Sequence, residues 1–480
     1  MIGKIIEYSA QNRFVICLGV AFFTAWGGWA LLHTPLDAIP DLSDVQVIVY
    51  TEWEGRNPAL IEEQITYPIV SQMLSAPRIK VVRGFSFFGY SFVYMIFEDG
   101  TDMYWARSRV LEYMAGALRR LPQGVVPVLG PDATGVGWVY QYALVDRSGK
   151  RSLAELRTLQ DWYVRYWLKA VPGVADVASL GGFEKQYQIQ LDPTKLLAYN
   201  LSIRDIMERI RDSNNDVGGR VVEFAGAEFM VRGQGYVRSI QDIEQVAVGT
   251  NAKGTPILVR DIATVALGPE MRRGLADLDG SGDVVSGIVI MRFGENALKV
   301  IERIKAKIAD IQPSLPQGVE FVPTYDRSDL ILRSLATLKE KLLEVILVVS
   351  LVCVVFLFHL RSALVAILTL PIAILFSFLA MYYLGLTSNI MSLGGIAIAV
   401  GAMVDAGIVM IENAHKRLED APDQSSRTRA RVIIEAAKEV GKPLFFSLLI
   451  ITVSFLPVFT LEAQEGRLFK PLAFTKTFSM

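Results

Sequence analysis

Long apolar runs alternate along this chain with one extended polar region. Five runs approach the roughly 20 apolar residues that about 30 Å of hydrocarbon demands. They are Phe14–Leu32, Val345–Phe358, Leu364–Leu386, Ile390–Ile411 and Leu444–Leu461. The second is short as a charge-free run, but Leu342 and Leu343 extend it past Glu344. The first is no cleaved leader, because its apolar region is long and Thr34-Pro35-Leu36 lacks a small-x-small cleavage site.

Between the first and second runs the periodicity shortens to that of strands and amphipathic helices. Val45–Trp53 is a β-branched strand, and Asn57-Pro58 supplies an N-cap and a first-turn proline for a helix from Ala59 toward Leu74. Strands at Ile79–Phe85 and Ser91–Phe97, a helix at Asp102–Leu121 and a strand at Val125–Leu129 complete a β-α-β-β-α-β order, the ferredoxin-like pattern. The pattern recurs with a strand at Trp138–Val145, a helix at Leu153–Ala170, and strands at Val174–Leu180 and Gln186–Leu191. Its closing helix and strand come later, at Leu298–Ile311 and Val319–Val322. Leu121-Pro122-Gln123-Gly124-Val125 and Leu315-Pro316-Gln317-Gly318-Val319 repeat one pentapeptide in one structural slot, which marks a duplication. The Gly-rich insertion Asp192–Arg273 splits the second unit and reads as a surface elaboration or as a docking module.

The expected fold class is therefore an α+β membrane protein, a transmembrane helix bundle carrying two ferredoxin-like units. The predicted divisions are 1–32 (first span), 33–136 (first unit), 137–191 with 274–336 (second unit) and 192–273 (inserted module). The spans 337–414, a surface helix at 415–443, and the fifth span with the chain end at 444–480 follow.

Composition agrees with this mixture: 52% of residues are hydrophobic, yet 20% are charged. A net charge of −1 offers nothing to nucleic acid. Cys17 and Cys353 lie in apolar runs, and His33, His359 and His415 are scattered, so local spacing builds no Cys or His metal cage. No GxxxxGK[ST] loop is present, which argues against ATP as the energy source. No resident cofactor is expected.

Lys and Arg flank the spans unevenly. Lys4, Arg13 and Arg361 border the first three, and Lys416, Arg417, Arg427, Arg429, Arg431, Lys438 and Lys442 fill the link between the fourth and fifth. The Thr387-Ser388-Asn389 link has none. The positive-inside rule puts the N-terminus in the cytoplasm and residues 33–336 on the far side. Lys416–Lys442 reads as an amphipathic helix along the inner surface, with Val432, Ile433, Ala436, Ala437 and Val440 toward lipid.

Asp405 is the one acidic or basic residue inside the five runs, where a carboxylate costs about 2.5–3.5 kcal/mol on insertion scales. It is read as a proton carrier, the alternative being a polar residue facing a helix partner. The helix around it is lean: Gly394, Gly395, Ala397, Ala399, Gly401, Ala402, Ala406 and Gly407 allow close helix approach in lipid. Met391, Met403 and Met410 supply soft thioether sulfur, which selects Cu(I) over hard cations. At 3.6 residues per turn Met403 and Met410 share a face about 10 Å apart, Asp405 points to the opposite side, and Met391 lies nearer the Asp405 face. Ordinary lipophilic packing is the competing account of these methionines.

Several blocks carry a family likeness along the whole chain. They are Asp37-Ala38-Ile39-Pro40-Asp41-Leu42-Ser43, Phe97-Glu98-Asp99-Gly100-Thr101-Asp102, Gly130 to Trp138, Gly268 to Gly274, and the run from Asn389-Ile390-Met391-Ser392-Leu393-Gly394 to Met403-Val404-Asp405. The chain resembles the heavy-metal efflux branch of the resistance-nodulation-division superfamily, nearest its Cus-type copper/silver pumps. The resemblance implies proton-driven efflux of Cu(I) or Ag(I) across the inner membrane of a Gram-negative cell, with residues 33–336 as periplasmic porter subdomains. It implies a homotrimer in membrane lipid, working with a periplasmic adaptor and an outer-membrane channel. It also implies a proton relay at Asp405 and metal passage along Met391, Met403 and Met410. Family members are about twice this length, so the sequence is expected to be a first half, with relay partners and a three-methionine site in the other half. A divalent-metal, drug or lipid exporter of the same superfamily and a non-transporting fragment are the alternatives.

Overall fold

The computed structural model describes residues 2–251, 253–272, 274–357, 360–420 and 426–480. Phe358, His359, Arg273 and part of the predicted surface helix, 421–425, lie outside them.

In the first α/β unit, strand Gln46–Glu52 buries Val47, Val49 and Thr51 on alternate positions, as a strand covered on one face must. The unit's sheet runs Ile79–Phe87, Tyr90–Phe97, Gln46–Glu52, Val128–Leu129, with each neighbouring pair antiparallel. Asn57 Oδ1 accepts from Leu60 N at 2.8 Å and starts the first helix; Asp102 caps the second, Met103–Leu118, through Trp105 N at 2.7 Å. Ile61, Ile65 and Ile69 from the first helix meet Val93, Met95 and Val110 in the core.

The second unit repeats the strand order: Val174–Leu180, Val285–Met291, Trp138–Asp146, Val319–Asp326. A further likeness lies in the first helix of each unit, which widens into a five-residue π segment, Glu62–Thr66 and Gln160–Val164. Each segment carries a buried polar side chain to the sheet. Thr66 Oγ1 lies 2.8 Å from Ser91 Oγ, and Tyr142 OH donates to Gln160 Oε1 at 2.9 Å.

One strand assignment needs correction. Lys185–Leu191, expected as the third strand of the second unit, pairs instead with Ala263–Pro269. Its alternating Lys-Gln-Tyr-Gln-Ile-Gln-Leu has no apolar set for both faces. The apolar Val285–Met291, with Val285, Val289, Ile290 and Met291 buried, takes the inner place. The insertion thus opens and closes on its own two-stranded ribbon, 185–269, and folds around Leu196, Ile206, Ile243, Val248 and Ile262. From it projects a hairpin, Val217–Phe224 with Ala227–Gly233, every residue of which is exposed.

Among the described residues three helices are long and apolar enough to cross a membrane: Arg13–His33, Ile390–Glu419 and the stretch Arg429–Phe459, with a shorter apolar helix at Leu368–Tyr383. Of the second predicted run, Val345–Leu357 lies in the 31-residue helix Arg327–Leu357. The third, expected to run three residues further, to Leu386, overlaps Leu360–Tyr383. Among the described residues the expected surface helix, 415–443, is not a separate element: 415–419 end the helix Ile390–Glu419 and 426–443 open the next. Ser426–Val453 is one helix that passes through Pro443 into the fifth apolar run. Its polar part packs on protein: Lys438 pairs with Glu7 of helix Ile2–Gln11 at 2.7 Å, and Arg417 with Glu439 at 2.9 Å. A helix beyond the predicted five, Ala463–Ser479, lies along Ile390–Glu419.

Candidate functional site: the Asp405 helix

Ile390–Glu419 begins at Asn389, whose Oδ1 accepts from Met391 N and Ser392 N at 3.0 Å each. A buried face follows, made by Ser392, Gly395, Ile396, Ala399, Val400 and Val404. The final helix sits directly on it, with Thr475 Oγ1 donating to Ser392 O at 2.7 Å. A methyl group at Gly395 would collide with Leu472 O and Thr475 Oγ1, so only glycine permits this approach. Leu370, Ile374, Phe378 and Met381 of helix Leu360–Tyr383 complete the packing.

Asp405 stands on the other side. It is exposed, and its carboxylate makes no hydrogen bond or ion pair among the described residues. Gly394 and Gly401, three turns and one turn before it, have open space among the described residues where a side chain would be. Ile398, between them, is 51% exposed. The predicted leanness therefore divides in two: Gly395 and Ala399 serve a helix contact already made, and Gly394 and Gly401 line an uncovered face with Asp405.

The three methionines are partly buried. Met403 packs against the cluster of Leu370, Ile374, Phe378 and Val400. Met403 and Met410 recur at seven residues on the packed side, whereas Asp405 faces out and is not brought to them. Among the described residues no three His, Cys, Asp or Glu side chains converge as a metal site.

Sequence periodicity missed Lys476. It lies in the final helix, 3% exposed, with its Nζ 3.0 Å from the centroid of the Phe455 ring. Arg467, Lys470 and Lys476 lower the hydropathy of Ala463–Ser479 below that of a span. The apolar positions Leu472, Ala473, Phe474 and Phe478 were the available signal.

Apolar helices long enough to cross a membrane, joined to two α/β units of one strand order, define the class as a membrane protein of mixed helix and sheet. The sequence profile of the AcrB/AcrD/AcrF family matches residues 5–480, and the chain belongs to that family, in the heavy-metal branch of the resistance-nodulation-division transporters. It is 55% identical over 486 residues to the cation efflux system protein CusA of Escherichia coli (strain K12), covering 100% of this chain and 46% of CusA. The cobalt-zinc-cadmium resistance protein CzcA of Cupriavidus metallidurans is 37% identical over 492 residues, again covering 100% of this chain and 46% of the relative. A crystal structure of a heavy metal efflux pump superposes with a TM-score of 0.87 at 33% identity, covering 99% of this chain and 46% of that one. The chain thus spans about half the length of the relatives it matches.

Proposed function

We propose that this chain forms the first half of a proton-driven exporter of soft monovalent ions, Cu(I) and Ag(I), in the inner membrane. The observation that carries the reading is Asp405. Its carboxylate lies on an apolar helix, unpaired, on a face bare of side chains at Gly394 and Gly401. A carboxylate so placed is suited to take up and release a proton against partners supplied by the rest of the transporter. Soft-ion selectivity rests on thioether chemistry at Met391, Met403 and Met410. The greater likeness to CusA than to the cobalt-zinc-cadmium protein favours that assignment over divalent metals.

In this reading the two units with strand order 2-3-1-4 are ferredoxin-like porter subdomains in the periplasm, and the module 185–269 docks a neighbouring subunit of a trimer, the adaptor or the outer-membrane channel. Its wholly exposed hairpin, with Phe224 and Met230 at 72% and 81% exposure, supports a protein contact there. Cross-links from the hairpin are expected to reach another copy or the channel.

The test is Ag(I) and Zn(II) flux in vesicles bearing the full-length transporter under an imposed pH gradient. Wild type is expected to move Ag(I) and Asp405→Asn to move none. Ag(I) movement by Asp405→Asn, or preference for Zn(II), overturns the reading.

A further inference from the structure

Strand Val319–Asp326 of the second unit passes into helix Arg327–Leu357 with no intervening loop. Asp326 caps the turn: its Oδ1 accepts from Ser328 N at 2.9 Å and from Ser328 Oγ at 2.6 Å. Arg327, the first residue of the helix, is 6% exposed, and its guanidinium joins segments distant in sequence. Nη2 donates to both carboxylate oxygens of Asp37, at 2.8 and 3.0 Å, and Nη1 donates to Val136 O, two residues before strand Trp138–Asp146 of the second unit.

Asp37 is itself bound to the Asp405 helix. Its backbone N–H donates to Ser388 O at 3.0 Å, Ser388 N donates to Pro35 O at 2.8 Å, and Ile390 N donates to Ala38 O at 3.2 Å. Ser388 and Asn389 are 2% and 1% exposed, and Asn389 is the N-cap of Ile390–Glu419. A short, largely buried path therefore runs from the cap of the Asp405 helix, through the partly buried Asp37, to Arg327 and the strand fused to it. Its members are rigid: a backbone ladder, a two-oxygen contact to a planar guanidinium, and a strand continuous with a helix.

We infer that the Asp37–Arg327 pair is the joint that couples movement of the Asp405 helix to the second α/β unit, with Arg327 a positioning residue for transport. A shift of the Asp405 helix at its cap pulls on Asp37, and Asp37 turns the strand–helix junction through Arg327. This inference rests on the proton-driven reading above. Coupling between distant sites requires contacts that differ between states, and a two-oxygen ion pair whose guanidinium is buried has few alternative geometries, so it passes on displacement rather than absorbing it.

The experiment uses the full-length transporter in vesicles, with Ag(I) as the probe and an internal pH dye, so that metal and proton fluxes are read together. Their ratio depends only on assembled molecules. Arg327→Lys keeps the charge and loses the planar fork; Asp37→Glu keeps the charge and lengthens the arm. Each is expected to bind Ag(I) as wild type does and to move about tenfold less Ag(I) per proton. A wild-type ratio in assembled variants overturns the joint, however far both fluxes fall. Failure of both variants to assemble assigns the pair to folding and also overturns it. Absence of gradient-driven Ag(I) flux in wild type would instead bring down the functional reading itself.

Discussion

The two sides of the Asp405 helix are built from the same residues to opposite ends. One side is closed: Ser392, Gly395, Ala399 and Val400 are buried, and Thr475 of the final helix is bonded to the backbone at Ser392. The other side is open, carrying Gly394, Gly401 and an unpaired Asp405. Small residues by themselves do not say which surface is structural. What separates the two is whether the space beside each glycine is already taken. Substitution should therefore harm stability on one side and transport on the other.

The largest expected effect belongs to the open side. Asp405→Asn in the full-length transporter should reduce Ag(I) flux to background while changing stability by no more than about 0.5 kcal/mol, as at other sites without packing partners. Vesicle flux and thermal unfolding measured together decide it. A large stability loss would place Asp405 among the structural residues.

Next comes the closed side. Gly395→Ala forces a methyl group against the backbone oxygen of Leu472, and overpacking of this kind costs about 1–3 kcal/mol. Gly401→Ala meets nothing among the described residues and should stabilise the chain slightly, by about 0.5–1 kcal/mol, because alanine is the better helix former. In the full-length protein the same Gly401→Ala change should become destabilising if a further helix covers that face. Equal effects of Gly395→Ala and Gly401→Ala in residues 1–480 would abolish the distinction between the sides.

Met403 and Met410 test whether a closed surface can also serve transport. Isoleucine at both keeps apolar bulk, so stability should fall by less than about 1.5 kcal/mol per site. Ag(I) efflux should nevertheless drop markedly if their sulfurs are ligands. Unchanged efflux in a stable double variant returns them to packing.

The smallest effect concerns the upper anchor of the final helix. Arg467 pairs with Asp44 at 2.9 Å and with Asp99, and donates to Leu42 O at 2.9 Å. Its hydrogen bond holds the Asp99 carboxyl below the usual carboxylate range, against a smaller opposing push from burial. The folded value is depressed, so the stabilisation is present above about pH 4 and is lost as pH falls through the lower folded value. Both carboxylates are well exposed, so the loss should be slight and weaker still in high salt. Thermal unfolding between pH 7 and pH 3 should show a small acid-dependent decline that Arg467→Gln removes. An identical decline in Arg467→Gln would assign it to other carboxylates.

Much of this arrangement was legible in the residues. Asn57-Pro58 and Asp102 announce helix starts because capping is a local matter, settled within four positions. Asp405 and the seven-residue spacing of Met403 and Met410 could be read for the same reason. Long-range pairing was harder. Nothing local tells that Lys185–Leu191 must wait for Ala263–Pro269, or that Val285–Met291 fills the vacant inner place; the decision lies in which strand can bury both faces. The final helix escaped because Arg467, Lys470 and Lys476 mask its apolar positions, although Arg467 is paired and Lys476 lies against Phe455. Arg327 and Asp37 are separated by 290 positions, so only the fold unites them.

The projecting hairpin has a consequence for susceptibility to proteases. Its two strands meet at Ala225 and Gly226, both with positive φ, which suits the tight primed turn of a two-residue loop. A lone two-stranded ribbon in water holds together weakly, and this one has neither a third strand nor a covered face. A copy without neighbours carries Phe224, Phe229 and Met230 in full view of proteases and chaperones, and a copy whose ribbon is covered does not. On the docking reading proposed above, limited proteolysis is expected to cut near Ala225 in an isolated chain and to spare it in an assembled one.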